Sequence, residues 1–137
     1  MGKVAFELDV YPFQIDYVGH VSNIVYIQWM EIGRTKLLEE IGLPLNILEK
    51  KGIAPILVQT EIRYKKAIYV EEKVKIELWV SELKNASAIM KFNFYNTNGE
   101  LAAFGSQQGL FIHREAVKPY RLTQEERAAF EMVLVED

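Results

Sequence analysis

The sequence of 137 residues contains no cysteine, which excludes a disulfide scaffold, a thiolate zinc site, an iron–sulfur cluster and a cysteine nucleophile. With only 8 glycines and 4 prolines beside 50% hydrophobic residues, its composition is not that of a disordered or collagen-like chain. A formal net charge of -3 gives no general attraction for nucleic acids or anionic lipids, so we expect neither as a partner. No uncharged apolar run of about 18 residues and no secretory signal are visible, which predicts a cytoplasmic protein without membrane contact. These absences favour a small-molecule substrate.

The hydrophobic pattern predicts the secondary structure of one domain that spans residues 1–137, a length that suits a single core. Apolar residues at spacings of three and four predict a helix of about 17 residues, which begins at the Ser22-Asn23 cap and ends near Gly42. A short helix is expected near 45–51, and a terminal helix begins after Thr123. Mixed apolar and branched residues predict five strands, at 4–11, 54–64, 73–83, 86–97 and 100–113.

This order of elements indicates an α+β fold in which the last four strands form an antiparallel meander. The economical packing wraps the curved five-stranded sheet around the long helix, whose apolar stripe of Tyr26, Met30 and Leu37 meets the sheet. The Asn98-Gly99 dipeptide predicts a two-residue hairpin, because both residues tolerate positive φ angles. Trp79 falls on the supposed solvent face of its strand, which suggests a partner surface there.

The segment between the first strand and the long helix, residues 16–26, is where catalysis is expected. It contains Asp16, Gly19, His20 and a helix amino terminus within eight residues. The first N–H groups of a helix have no partner within the helix, so they can bind a carbonyl oxygen that becomes an oxyanion. A nearby carboxylate can attack that carbonyl or activate water for the attack. This combination suits the transfer of an acyl group to water.

The pattern Asp16-x-x-Gly19-His20-Val21-x-Asn23-x-x-Tyr26, followed by Trp29-Met30-Glu31-x-Gly33-Arg34, resembles the hotdog-fold acyl-CoA thioesterases of the 4-hydroxybenzoyl-CoA thioesterase type. The resemblance covers nearly the whole chain. It implies a hotdog fold, a five-stranded antiparallel sheet around one long helix, and hydrolysis of an acyl-CoA or acyl-carrier thioester. It also implies that Asp16 acts as nucleophile or general base, and that the backbone N–H of Asn23 polarises the thioester carbonyl.

The same resemblance implies homodimers, often paired into homotetramers, with the active site at the subunit interface. Gln59 and Thr60 would then come from a partner strand and lie near the acyl group. No metal or redox cofactor is implied, and coenzyme A enters only as part of the substrate. The residues themselves offer little support for a metal site either, since the only two histidines, His20 and His113, are far apart in the sequence.

Several neighbouring side chains have both a functional and a structural interpretation. His20 is a candidate substrate contact, although shaping the loop through a hydrogen bond is the simpler role. The ring of Tyr26 is expected to pack in the core while its hydroxyl reaches towards the loop and the substrate. Glu31 is either an exposed helix residue or the partner of Arg34 three residues later.

A small basic cluster follows the second predicted strand. The side chains of Arg63, Lys65 and Lys66 could bind the phosphates of coenzyme A, and a solvated strand end explains them equally well.

Two other functions are compatible with the same fold. One is a hotdog hydratase or dehydratase that acts on an enoyl thioester, which usually needs a differently spaced aspartate–histidine pair than Asp16 and His20. The other is a protein that binds an acyl thioester without cleaving it. Release of free thiol, loss of enoyl absorbance and retention of intact acyl-CoA distinguish the three.

Overall fold

The structure of the protein, a computed structural model, describes residues 2–136. In this part of the chain the strands are β1 Val4–Asp9, β2 Ile53–Tyr64, β3 Lys73–Leu83, β4 Ser87–Tyr95, β5 Leu101–His113 and β6 Ala116–Pro119. The helices are α1 Asn23–Glu40, α2 Leu45–Lys50 and α3 Gln124–Glu131. The five predicted strands and the three predicted helices are therefore confirmed, and β6 adds a short strand that pairs with the end of β5.

The strands form one antiparallel sheet in the order β1-β3-β4-β5-β2. The predicted four-strand meander is therefore wrong for β2, which pairs with β5 at the opposite edge from β1. The connection 65–72 does not turn back tightly but carries the chain from β2 to β3, which lies beside β1 near the opposite edge. On its way it passes the start of α1, where the Ile68 carbonyl accepts a hydrogen bond from the Val21 N–H at 2.8 Å.

Helix α1 lies against the concave face of the sheet, as its apolar stripe predicts. Its buried residues are Val25, Tyr26, Trp29, Met30, Gly33, Leu37 and Leu38. Gly33 lets the helix lie close to the sheet, since an added Cβ there would lie 3.3 Å from the Phe92 ring and 3.4 Å from a Leu78 methyl group. A larger side chain at this position would push the helix away from the sheet. The Ser22 hydroxyl caps the helix by accepting the Ile24 N–H at 3.4 Å, and Gly42 adopts φ +81° just beyond the other end.

The turn between β4 and β5 is longer than the predicted two-residue hairpin. The Asn96 N–H donates to the Glu100 carbonyl at 2.9 Å, and the Gly99 N–H donates to the Asn96 carbonyl at 2.9 Å. Three residues therefore form the loop, and only Gly99 has a positive φ, at +79°. Asn98 keeps an ordinary φ because the Asn96 side chain accepts its N–H at 3.0 Å. This side-chain bond favours the three-residue turn over the type I′ turn.

Trp79 is buried within the chain, so the prediction that it faces a partner is wrong. Its side chain is only 7% exposed, and the Lys3 ammonium lies 4.2 Å from the ring centroid. The carboxyl-terminal segment runs beside β3 here, since Val80 exchanges backbone hydrogen bonds with Val133 and Val135. The contact with Lys3 thus comes from a residue distant in sequence, which the alternation along β3 does not predict.

A buried carboxylate contributes to the attachment of helix α3. Glu126 is 1% exposed and accepts hydrogen bonds from the Thr123 N–H at 2.9 Å, the Lys51 ammonium at 2.9 Å and the Tyr120 hydroxyl at 3.0 Å. Burial alone would raise the pKa of Glu126, but these bonds outweigh it and hold the pKa below its usual value.

No helix within residues 2–136 is long and apolar enough to cross a membrane.

Candidate active site

The loop that carries Asp16 is a tight reversal closed by the chain itself. Ile15 and Val21 pair across its base, and the Asp16 N–H donates to the His20 carbonyl at 3.0 Å. The Gly19 N–H in turn donates to the Asp16 carbonyl at 3.0 Å, with Gly19 at φ +101°. Only glycine adopts such an angle without strain, so the glycine of the motif is explained by the shape of the loop.

The Asp16 carboxylate is half-buried and held in place by the loop. One of its oxygens, Oδ1, accepts the Val18 N–H at 2.9 Å, which is an Asx turn. Its second oxygen has no hydrogen-bond donor among residues 2–136. A carboxylate fixed through one oxygen, with the other free, is suited to attack a carbonyl or to take a proton from water.

The first N–H group of α1, that of Asn23, is also free. The next two N–H groups are satisfied by Ser22, since Ile24 donates to its hydroxyl and Val25 donates to its carbonyl at 3.0 Å. Within the described part of the chain, the Asn23 N–H has no acceptor. It therefore presents an unsatisfied donor at the positive end of a helix of 18 residues.

A cleft of about 250 Å³ lies between the start of α1 and the segment 64–68. Its walls bring together five of the predicted site residues, namely His20, Asn23, Tyr26, Lys65 and Lys66. The cleft is therefore assembled where the predicted loop and the predicted basic cluster meet. Asp16 is in the same loop but does not line this cleft.

Tyr26 and His20 are both held by aromatic neighbours. Tyr26 is 2% exposed and packs edge-on against Trp29, Tyr64 and Phe94, with ring centroids 5.1 to 5.3 Å apart. Burial, with smaller contributions from Tyr64 and Glu72, raises the pKa of Tyr26 to about 12. Its hydroxyl is therefore neutral at pH 7 and can donate a hydrogen bond. The His20 ring lies edge-on to Tyr69 at 6.1 Å.

The remaining predicted residues lie on β2, away from this cleft. Gln59 and Thr60 are exposed on the free edge of the sheet. Arg63 borders a different groove, on the outer face of β2 and β5. In the basic cluster, Lys66 forms an ion pair with Glu100, whereas Lys65 and Arg63 have no carboxylate within 4.0 Å among residues 2–136. Within this cluster, the charge of Lys66 is therefore compensated by a carboxylate, whereas the charges of Lys65 and Arg63 are not.

The sequence did not predict a polar chain that runs from α1 to β2. The Arg34 guanidinium donates from Nη1 to Gln107 Oε1 at 2.6 Å, and Gln107 Nε2 donates to Thr60 Oγ1 at 3.2 Å. The alternative pairing of Arg34 with Glu31 is wrong, since no ion pair within 4.0 Å joins them. Burial lowers the pKa of Arg34, and the charge of Glu31 opposes that shift. Nothing in the local sequence pattern marks Gln107, which is 73 residues from Arg34.

Residues 2–136 contain no group of three or more His, Asp or Glu side chains that could hold a metal ion. The candidate groups at the Asp16 loop and the cleft are a carboxylate, a helix amino terminus and the neutral Tyr26 hydroxyl.

The chain matches proteins of one family over most of its length. Residues 10–130 match the Thioesterase-like superfamily. YneP of Bacillus subtilis, named as a candidate acyl-CoA thioesterase, is 29% identical over 113 residues, which are 82% of each chain. The structure of a DHNA-CoA thioesterase from Staphylococcus aureus superimposes with a TM-score of 0.89 at 27% identity, over 96% of this chain and 91% of that one.

A more distant structure shares the fold. Slr0204 of Synechocystis, a 1,4-dihydroxy-2-naphthoyl-CoA thioesterase, has a TM-score of 0.85 at 18% identity, over 94% of this chain and 96% of that one. The antiparallel sheet curled around a long helix is the hotdog architecture, so the predicted fold is confirmed. The chain belongs to the thioesterase-like superfamily and is a hotdog-fold thioester hydrolase.

Proposed function

We propose that the protein hydrolyses acyl-CoA thioesters at the junction of the Asp16 loop and the start of α1. The observation that carries this proposal is the free Asn23 N–H at a helix amino terminus, seven residues after a carboxylate with one free oxygen. An oxyanion donor and a carboxylate are the two groups that thioester hydrolysis needs. The names of the relatives in Bacillus and Staphylococcus support coenzyme A as the thiol.

The thioester carbonyl oxygen accepts a hydrogen bond from the Asn23 N–H, which stabilises the negative charge that develops on it. On one route, Asp16 attacks the carbonyl carbon, the C–S bond breaks and the thiolate takes a proton. Water then hydrolyses the acyl–aspartyl anhydride and restores the carboxylate. On the other route, Asp16 takes a proton from water as that water attacks, and the proton passes to the leaving thiolate. Both routes give one carboxylic acid and one thiol.

A second copy of the chain completes the site in this proposal. Gln59 and Thr60 do not line the cleft of their own chain, and they lie on a free edge strand of 12 residues. Next to them, Ile56, Leu57 and Val58 are exposed apolar residues. A long, unpaired and apolar strand is suited to pair with another chain. We therefore assign a homodimer through β2, which brings Thr60 to the partner's acyl group, and a tetramer as a pair of such dimers.

Lys65 is assigned to the phosphates of coenzyme A, because it lines the cleft and is an exposed cation without a carboxylate partner among residues 2–136. Arg63 also has no such partner but borders a separate groove, so we assign it a smaller contribution. Lys66 contributes less, since Glu100 already compensates its charge.

Replacement of Asp16 by Asn tests the assignment. We expect thiol release from a panel of acyl-CoAs to fall by at least a hundredfold, with an unchanged thermal unfolding midpoint. Asp9→Asn is the matched control, because it removes an exposed carboxylate whose partner, Lys73, lies at the surface. Full activity of the Asp16 variant would refute the role of Asp16.

The same assay separates the competing functions. An enoyl-CoA that loses its absorbance without releasing thiol would indicate a hydratase, and acyl-CoA that is bound and recovered intact would indicate a binding protein. Rapid-quench mass spectrometry addresses the two hydrolytic routes, because an acyl adduct on the Asp16 peptide is expected only on the nucleophilic one.

A further inference from the structure

Tyr26 carries a buried hydroxyl group that makes no hydrogen bond within the described chain. The residue is 2% exposed, and its oxygen has no partner among residues 2–136. Burial of a hydroxyl without a partner costs free energy, because its bonds to water are lost and nothing replaces them. Buried polar groups in folded proteins are nearly always paired, so this exception needs an explanation.

The Tyr26 oxygen is unpaired but not sealed off. Among residues 2–136, Trp79 Nε1 is the only side-chain nitrogen or oxygen that is both fully covered and unpaired. The Tyr26 oxygen therefore keeps an open side, and Tyr26 is one of the residues that line the cleft at the start of α1. A free hydroxyl with access to a cleft is available to a ligand.

The groups around Tyr26 fix its position without binding its hydroxyl. Three rings pack edge-on against it with centroids 5.1 to 5.3 Å away, namely those of Trp29, Tyr64 and Phe94. Glu72 acts on Tyr26 electrostatically. Its two carboxylate oxygens are instead engaged by the N–H groups of Tyr69 at 2.8 Å and Thr97 at 3.2 Å. Packing thus holds the hydroxyl in place, and its acceptor has to come from outside the chain.

The Tyr26 hydroxyl and the Asn23 N–H serve the same cleft. Asn23 and Tyr26 are three residues apart on α1, so they lie on one side of the helix, about 4.5 Å apart along its axis. Aromatic side chains on a helix lean towards its amino terminus, which directs a ring at position 26 back over the first turn. Both residues line the cleft. The helix start therefore offers two unpaired donors, one from the backbone and one from a side chain.

The Tyr26 hydroxyl is suited to donate a hydrogen bond but not to transfer its proton. Burial raises its pKa to about 12, which makes it a poor acid at pH 7. A neutral donor held in a fixed position stabilises negative charge that develops during a reaction. In the proposed hydrolysis, the thioester carbonyl oxygen acquires that charge, and it has lone pairs for two donors.

We propose that the Tyr26 hydroxyl is the second donor of the oxyanion site, and that the thioester oxygen is bound between this hydroxyl and the Asn23 N–H. The inference rests on the proposed function and makes Tyr26 a catalytic residue. It also explains the unpaired hydroxyl, because the acceptor is supplied by the reacting substrate. The bond strengthens as the oxygen becomes charged, so it favours the transition state over the bound substrate.

Tyr26→Phe removes the oxygen and keeps the ring. For the best substrate in a panel of acyl-CoAs, we expect kcat to fall about 10- to 100-fold, the value of one hydrogen bond to a charged group, with KM within about twofold of wild type. The thermal unfolding midpoint should be unchanged or higher, because the variant lacks a buried unpaired hydroxyl. Tyr11→Phe is the matched control, since Tyr11 is 52% exposed and outside the cleft.

Three results would overturn the inference. The first is a fall in kcat of less than about fivefold, or one that the Tyr11 control shares. The second is a raised KM at unchanged kcat, which would assign the hydroxyl to substrate binding alone. The third is a lower unfolding midpoint, which would show that the hydroxyl has a structural partner. Failure of the wild-type protein to release thiol from any acyl-CoA would instead contradict the proposed function.

Infrared spectroscopy tests the contact itself. Asp16→Asn is expected to bind an acyl-CoA with little turnover, so a substrate with an isotope label at the thioester carbonyl can be observed intact. The bound carbonyl should absorb at a lower wavenumber in this variant than in one that also carries Tyr26→Phe, because a hydrogen bond weakens the C=O bond. Absorption at the same wavenumber in both proteins would show that Tyr26 does not bind the carbonyl oxygen.

Discussion

The oxyanion assignment can be tested by deleting a backbone donor, because the structure allows proline at position 23. Asn23 is the first residue of α1, where proline is tolerated since no helical hydrogen bond uses that N–H. The preceding residue must be extended, and Ser22 already has φ -65° and ψ 144°. Asn23→Pro therefore removes the one free N–H at the helix start while the Ser22 cap on Ile24 remains.

The expected cost is that of a single oxyanion donor, a loss of about 100- to 1000-fold in kcat, or roughly 2.7 to 4 kcal/mol of transition-state stabilisation. Asn23→Ala keeps the N–H and removes only the side chain, whose amide makes no hydrogen bond within residues 2–136. We expect this control to retain kcat within about threefold of wild type, whereas the proline variant loses it. The thermal unfolding midpoints of the two variants should be similar.

Steady-state thiol release gives kcat and KM, and a thermal melt reports the folded state. A proline variant that folds normally and keeps more than about a tenth of the wild-type kcat would refute the role of the Asn23 N–H. A loss shared equally by the alanine variant would assign the effect to the side chain instead.

Three further predictions concern the buried Glu126 carboxylate, the Asp16 loop and the edge strand β2. Glu126→Gln should lower the free energy of unfolding at pH 7 by about 2 kcal/mol, because charge-assisted bonds become neutral ones. Since the folded pKa of Glu126 lies below its unfolded value of about 4.3, this difference should be constant above roughly pH 5 and shrink as chemical denaturation is repeated at lower pH. Gly19→Ala should cost about 1 to 2 kcal/mol in the same measurement through the positive φ alone, as no atom crowds the added Cβ. Val58→Lys should yield monomers with little activity in light scattering and thiol-release assays, and an active monomer would contradict the shared site.

What the sequence predicted well was local along the chain. The loop from Asp16 to Asn23 spans eight residues, so a carboxylate, a glycine and a helix cap in that order already define its geometry. The Ser22 cap and the buried stripe of α1 follow from spacing in the same way. The two walls of the cleft could each be predicted from the sequence, one from the loop motif and the other from the basic cluster, but not that they lie together.

What the sequence did not predict depends on which strands are neighbours. Alternation of apolar residues tells which face of β2 is buried but not that β2 pairs with β5 rather than β3. The hydrogen bond from Gln107 to Thr60 follows from that pairing, and so does the exposure of Thr60. The burial of Trp79 is of the same kind, because the residue that lies over its ring, Lys3, is distant from it in the sequence.

The position of Gly33 explains how closely α1 can pack on the sheet. An added Cβ there would lie 3.3 Å from the Phe92 ring and 3.4 Å from a Leu78 methyl group, so this face of the helix has little room for a side chain. The cleft at the helix start lies towards Asn23, whereas a separate apolar cavity is lined by Arg34 and by later residues of α1. Eleven residues separate Asn23 from Arg34, which is about 16 Å at 1.5 Å per residue. In the proposed mechanism, a short acyl group whose carbonyl is bound at Asn23 therefore does not reach Arg34 of the same chain.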